Sequence, residues 1–262
     1  MSAVTTVLAK AELPWPPTTE DIFTPGFGGS VWLTKFPLMV WLAVAMLVIF
    51  FLVAYRNPKL VPSRGQWLAE SAYGFVREGI AKEIMGAQGV RFAPYLTTIF
   101  LFVLVTNIFG IVPGLQVSPN THIAFPAVLA AITFILYWYL GIRKHGLGSY
   151  LKMNLFPPGM PKWLYIILTP IEFAQIAIIR PLTLGVRLFA NMFAGHLILL
   201  VFTLGGFVLL GTGNIGLAAV GVVSFGFAIV MTLFELVVAI LQAYVFAVLS
   251  AVYFESSLAD EH

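Results

Sequence analysis

Apolar positions along the 262-residue chain fall in long blocks rather than short alternations. Phe36 to Tyr55, Ala93 to Pro113 and Ile123 to Ile142 are each an apolar run of about 20 residues, the length of helix that spans a bilayer core. Trp163 to Leu210 and Gly216 to Phe254 are near-continuous apolar stretches of 48 and 39 residues. As single helices at about 1.5 Å per residue they would be about 70 and 60 Å long, twice what the membrane requires. Each either folds back on itself, with Gly205-Gly206 and Gly221 or Gly226 as the available breaks, or runs as one strongly tilted helix. No polar turn or basic loop interrupts either stretch. The pattern therefore predicts two long tilted helices joined at Gly211-Thr212-Gly213-Asn214.

Gln66 to Gln88 has a different pattern. Leu68, Ala72, Phe75, Val76, Ile80 and Ile84 recur at helical spacing, while Glu70, Arg77, Glu78, Lys82 and Glu83 take the other face. This is an amphipathic helix, lying on the membrane surface or packing as a loop helix against a partner.

Basic residues then orient the chain. Six Lys/Arg (Arg56, Lys59, Arg64, Arg77, Lys82, Arg91) follow the first span and four (Arg143, Lys144, Lys152, Lys162) follow the third, whereas LQVSPNTH and GTGN carry none. By the excess of positive charge in cytoplasmic loops, both basic segments are cytoplasmic. The expected plan is an extracytoplasmic segment at 1–35, a transmembrane helix at 36–55, and a cytoplasmic loop with the amphipathic helix at 56–92. A transmembrane hairpin at 93–142, a cytoplasmic loop at 143–162, two long tilted helices at 163–254 and a cytoplasmic tail at 255–262 complete it. The fold class is all-α and polytopic, with about five crossings and one surface helix.

Composition agrees and narrows the chemistry. Sixty per cent of residues are hydrophobic, 10% are charged and the mean hydropathy is +0.97. The net charge of +3 comes from the loops, so no basic face is available for nucleic acid. The chain has no cysteine and only four histidines, without an HExxH pair, so neither a metal site nor a cofactor is expected. GTGNIG at 211–216 matches GxGxxG, but it joins two apolar helices rather than leaving a strand, and reads as a turn. The first 35 residues lack the basic start and apolar core of a signal peptide.

From Trp163 to Phe254 the only formal charges are Glu172, Arg180, Arg187 and Glu235, with His196 a possible fifth. A charge at mid-bilayer costs at least about 2.5 kcal/mol, so such residues face a cavity or a partner. Either the four pair off inside the bundle or they serve an ion path. Arg180, Thr183, Arg187 and Asn191, separated by three, four and four residues, share one stripe of a helix. His196 projects to the opposite face, and Glu235 and Gln242, seven apart, share a face of the last helix. Arg180 lies near the basic loop and can reach the interface through its flexible stem. Arg187 is about 24 residues from either end of its apolar stretch and needs an anion that this chain does not offer. Asn107 is a lone amide in a span, the usual mark of an interhelical hydrogen bond. A secondary transporter would show two matching halves with broken helices, and an enzyme a paired nucleophile and base. Neither is found.

The segment RPLTLGVRLFANMFAGH at 180–196, followed some forty residues later by FELVVAILQAYVFAVLSAVYF, closely resembles subunit a of the F-type proton-translocating ATP synthases. The likeness extends to TNIFGIVPG at 106–114. It implies a membrane stator that passes protons to and from a rotating ring of c subunits, held by b/b′ peripheral-stalk subunits within the F0F1 complex. It matches Arg187 to the family's essential arginine, Asn191 to the asparagine one turn on, and Gln242 to a glutamine facing that arginine. His196 and Glu235 match two positions lining a proton half-channel, at which some members exchange the two residue types. Asn107 matches a polar position of the hairpin. Glu172 belongs to the same pathway with its role open, because its offset from the Arg-Pro pair departs from the family pattern. A multi-pass protein of a bacterial plasma membrane is implied, with organellar membranes the alternative.

Overall fold

The computed structural model describes residues 35–112, 118–156 and 164–259. The expected extracytoplasmic segment, part of the LQVSPNTH connection and the end of the tail lie outside them.

Eight principal helices are defined among the described residues: α1 (Lys35–Ala54), α2 (Arg64–Val76), α3 (Ala93–Phe109), α4 (Ala124–His145), α5 (Leu147–Leu155), α6 (Tyr165–Ala174), α7 (Arg180–Leu210) and α8 (Ile215–Leu258). Five continuous helical stretches are long and apolar enough to cross a membrane: Lys35–Ala54, Arg64–Phe109, Ala124–His145, Tyr165–Leu210 and Ile215–Leu258. The chain is an all-α polytopic membrane protein. Both long stretches run unbroken, so Gly205, Gly206, Gly221 and Gly226 do not break them. In lipid a break would strand backbone groups without partners, and continuity of the helix avoids that cost.

The amphipathic stretch runs from α2 through a wide π-type turn at Arg77–Lys82, with Lys82 Nζ donating to Glu78 Oε2 at 2.8 Å. Ser63 caps α2 by accepting from the Gln66 amide. The segment after α4, expected to be a loop, contains α5.

Continuity of Tyr165–Leu210 depends on a local adjustment. Pro181 has no amide hydrogen, and its ring clashes with the carbonyl four residues back. The chain widens into a π-type turn at Gln175–Ile179, in which the Arg180 amide donates to the Gln175 carbonyl, five residues earlier. The Ile176 carbonyl accepts a short hydrogen bond from the Tyr137 hydroxyl of α4.

Two compact units make up the chain. One comprises, among described residues, 35–43, 105–112, 118–121 and 190–241. Its core is the hairpin of the α7 and α8 segments. A Cβ on Gly206 would lie 2.9 Å from the Phe225 ring, so only glycine lets the helices approach this closely. Ser224 Oγ donates to the Phe202 carbonyl at 2.7 Å, and Phe202 stacks on Phe227. The hairpin turns at Thr212-Gly213, where Gly213 takes φ +70°, a conformation open to glycine at little cost.

The other unit comprises, among described residues, 44–104, 122–156, 164–189 and 242–259. The Tyr95 hydroxyl meets Thr133 at 3.3 Å, and the Tyr95 and Phe92 rings pack on Phe254. The buried Tyr150 of α5 reaches Ser257 at 3.2 Å; burial raises its phenol pKa above the ordinary value. Lys144 donates to the Leu258 carbonyl, tying the end of α4 to the end of α8.

Candidate functional site

In the first unit the polar side chains gather on the inner faces of the helices. Glu235 is 4% exposed, and its Oε2 has no protein partner among the described residues. What makes room for this carboxyl is Gly195: a Cβ there would lie 2.9 Å from Glu235 Oε1 and 3.1 Å from its carboxyl carbon. The carboxyl thus rests against the backbone of α7, next to the half-buried His196 in sequence. Among the described residues no hydrogen bond or ion pair joins His196 to Glu235. The carboxyl is not locked by a fixed counter-ion, which leaves it able to exchange a proton.

One turn further along α8, the Ala239 carbonyl accepts from Asn107 Nδ2 at 3.3 Å. Asn107 is fully buried, and its Oδ1 accepts from Asn120 Nδ2 at 2.8 Å, while Asn120 Nδ2 also donates to Thr106 Oγ1 at 2.9 Å. The amide expected to bridge helices does so, through a network the sequence did not reveal. Asn120 lies in Ser118-Pro119-Asn120-Thr121, which reads as a polar turn; its burial follows only from packing. Gly195 gave no signal either, since a helical glycine is unremarkable until the facing side chain is known.

In the second unit the start of α7 presents two faces. Leu184 and Leu188 are buried, and Gly185 lies close to Pro126 and Ala130 of α4. Thr183 and Arg187 are exposed and Arg180 is half-buried, while Asn191, further along the helix, is also half-buried. Of the polar stripe expected from the spacing, Thr183 and Arg187 are the outward members. Arg187 makes no hydrogen bond or ion pair with any described residue, Gln242 included. Gln242 is 4% exposed on α8. Arg180 differs: its Nη1 donates to Ser256 Oγ at 3.4 Å and its guanidinium sits 5.5 Å from the centre of the Tyr253 ring.

Two ion pairs lie within the amphipathic stretch, Glu78 with Arg77 at 3.7 Å and with Lys82 at 2.8 Å. None involves Glu172, Arg180, Arg187 or Glu235 among the described residues. Within the second unit, Glu172 pairs with neither Arg180 nor Arg187. Glu172 is half-buried in α6. No group of three or more metal-ligating side chains occurs among the described residues.

The arrangement offers two chemical elements: a permanent cation on an exposed helix face, and an enclosed carboxyl with a neighbouring imidazole in the chain. Comparison with known proteins gives them a setting. The sequence model of the ATP synthase A chain family matches residues 37–255. ATP synthase subunit a of Rhodococcus erythropolis is 45% identical over 252 residues, covering 94% of this chain and 91% of that one. The Nocardioides protein of the same name is 37% identical over 259 residues, with 94% of each chain covered. That of Frankia alni is 41% identical over 254 residues, with 94% and 87% covered. An exposed, unpaired arginine deep in an apolar helix, the long helical hairpin and these matches agree: the chain belongs to the ATP synthase A chain family.

Proposed function

We propose that this chain is the proton-conducting stator of an F-type ATP synthase in a bacterial plasma membrane, working against a ring of c subunits and held by b/b′ stalk subunits. It has no catalytic site of its own and uses no cofactor. His196 and Glu235 line one half-channel, through which a proton reaches a carboxylate on the ring. Once neutral, that carboxyl enters lipid without the cost of burying a charge. On its return it meets Arg187, whose fixed positive charge favours the ionised form and so releases the proton. The same charge opposes direct passage of protons past it. Gln242, Asn191 and Glu172 belong to the same pathway, and Asn107 fixes the hairpin beside the channel. Each charge crossing 100 mV delivers about 2.3 kcal/mol, and several crossings drive one synthesis step.

The observation that carries this reading is Arg187, exposed on a long apolar helix with no counter-ion among the described residues. An arginine in that setting requires an anion from outside the chain. Its test is Arg187→Ala in inverted membrane vesicles: assembly of the complex persists while ATP-driven proton pumping is lost. Pumping at the unaltered rate overturns the assignment.

A further inference from the structure

Arg180 occupies a different setting from Arg187, seven residues further along the same helix. We propose that Arg180 is the centre of a binding site for a phosphate oxyanion, supplied by the headgroup of an anionic phospholipid. The guanidinium lines a cavity of about 480 Å³ together with Gln175, Thr183, Tyr253 and Ser256. The Tyr253 ring backs the guanidinium and Ser256 Oγ accepts one of its N–H groups. A guanidinium carries five N–H donors in a planar fork, so this contact leaves most of them for a ligand.

No carboxylate lines this cavity, and none forms an ion pair with Arg180 among the described residues. Glu255, next to Ser256 in sequence, lines a separate cavity with Met85 and Gln88. Ile179 and Val252 complete the wall and the Thr183 hydroxyl is spent on the Ile179 carbonyl, so the Gln175 amide and the Ser256 hydroxyl are the neutral donors beside Arg180, and neither repels an anion.

Depth points to a lipid. Ser256 is two residues from the end of α8 at Leu258, and the Leu258 carbonyl is held by Lys144, in the basic last turn of α4. Arg180 thus stands level with the helix ends on the basic side of the protein, where phospholipid headgroups lie and where positive charge attracts anionic ones. Arg187 is about 10 Å further along the helix and fully outward, suited to meeting a protein partner; Arg180 is recessed, suited to a small group that enters a pocket.

The test uses the intact synthase containing this chain, purified in detergent with equal amounts of phosphatidylglycerol and phosphatidylcholine of matched acyl chains, and native mass spectrometry of the lipids retained. The unaltered complex retains phosphatidylglycerol with a preference of about tenfold, the size of one charge-assisted contact. Arg180→Gln brings the preference close to parity, Arg180→Lys keeps part of it, and Ser256→Ala lowers it by about threefold. An excess of inorganic phosphate that fails to displace the lipid identifies the headgroup as the source; displacement identifies free phosphate at the same oxyanion site. Equal retention of both lipids by the unaltered complex overturns the proposal, as when a partner's carboxylate already occupies Arg180. An unchanged preference in Arg180→Gln overturns it as well. Where Arg180→Gln does not assemble, the unaltered complex and Ser256→Ala still decide.

Discussion

Arg187 and Glu235 are both ionisable groups in apolar helices without a counter-ion among the described residues, yet the two regions that hold them are built in opposite ways. Around Arg187 the helix buries Leu184 and Leu188 and turns the cation outward. Around Glu235 the backbone of α7 closes over the carboxyl, and a single missing methyl at Gly195 provides its space. An exposed permanent cation serves a group that comes to it; an enclosed carboxyl serves an ion small enough to come in. Charge alone did not distinguish the two. What distinguishes them is enclosure: Arg187 is turned outward, and Glu235 is buried where Gly195 leaves room for its carboxyl.

The sharpest way to break the contrast is to keep the charge and change its shape. Arg187→Lys retains a cation but loses the planar fork, and ATP synthesis in reconstituted vesicles is expected to fall by about a hundredfold. Synthesis at more than half the original rate would reduce the arginine to a mere positive charge. On the other side, Glu235→Gln keeps the shape and removes the exchangeable proton. Passive proton conduction through the stripped membrane sector is expected to slow about tenfold, and an unchanged rate would remove Glu235 from the path.

Gly195→Ala probes the enclosure itself. The added methyl would meet Glu235 Oε1 at 2.9 Å, so the carboxyl or the helix has to shift. The expected result is a loss of about 1–3 kcal/mol of stability, read by thermal unfolding, with conduction slowed about fivefold. Normal conduction would mean that the position of the carboxyl is not critical. Asn120→Ala gives the smallest effect on transport. It removes two buried hydrogen bonds, to Thr106 and Asn107, and lowers stability by about 1–3 kcal/mol while conduction changes less than about twofold. A large transport defect with unchanged stability would move Asn120 from scaffold to channel.

Much of this was legible in the sequence because lipid imposes few solutions. Apolar run lengths gave the five membrane-length helices, and the absence of polar punctuation gave the two continuous long ones. The three- and four-residue spacing of Arg180, Thr183, Arg187 and Asn191 marked the stripe whose outward members are Thr183 and Arg187. Helix α5 escaped because Leu147 to Leu155 is short and mixes Gly148, Ser149, Lys152 and Asn154 among its apolar positions, and forms where Tyr150 docks on Ser257. Asn120, Gly195 and the surroundings of Arg180 escaped for a common reason. Each is defined by a side chain more than a dozen residues away, and periodicity carries no information about such pairs.

The π-type turn at Gln175–Ile179 has a consequence for how this helix tolerates change in length. A π turn holds one residue more than the α-helical turn it replaces, and each residue rotates an α-helix by about 100°. Deleting one residue between Gln175 and Ile179 would therefore restore ordinary winding upstream of Pro181. Because the π turn absorbs that extra residue within one turn, the segment before it, Glu172 included, would keep nearly its present direction relative to Arg187, and no residue of the stripe would change. Sequence distance across this turn is not helical distance, so a count at about 100° per residue from Glu172 to Arg187 is out of phase by about one residue. The turn works as a vernier between the two halves of the helix.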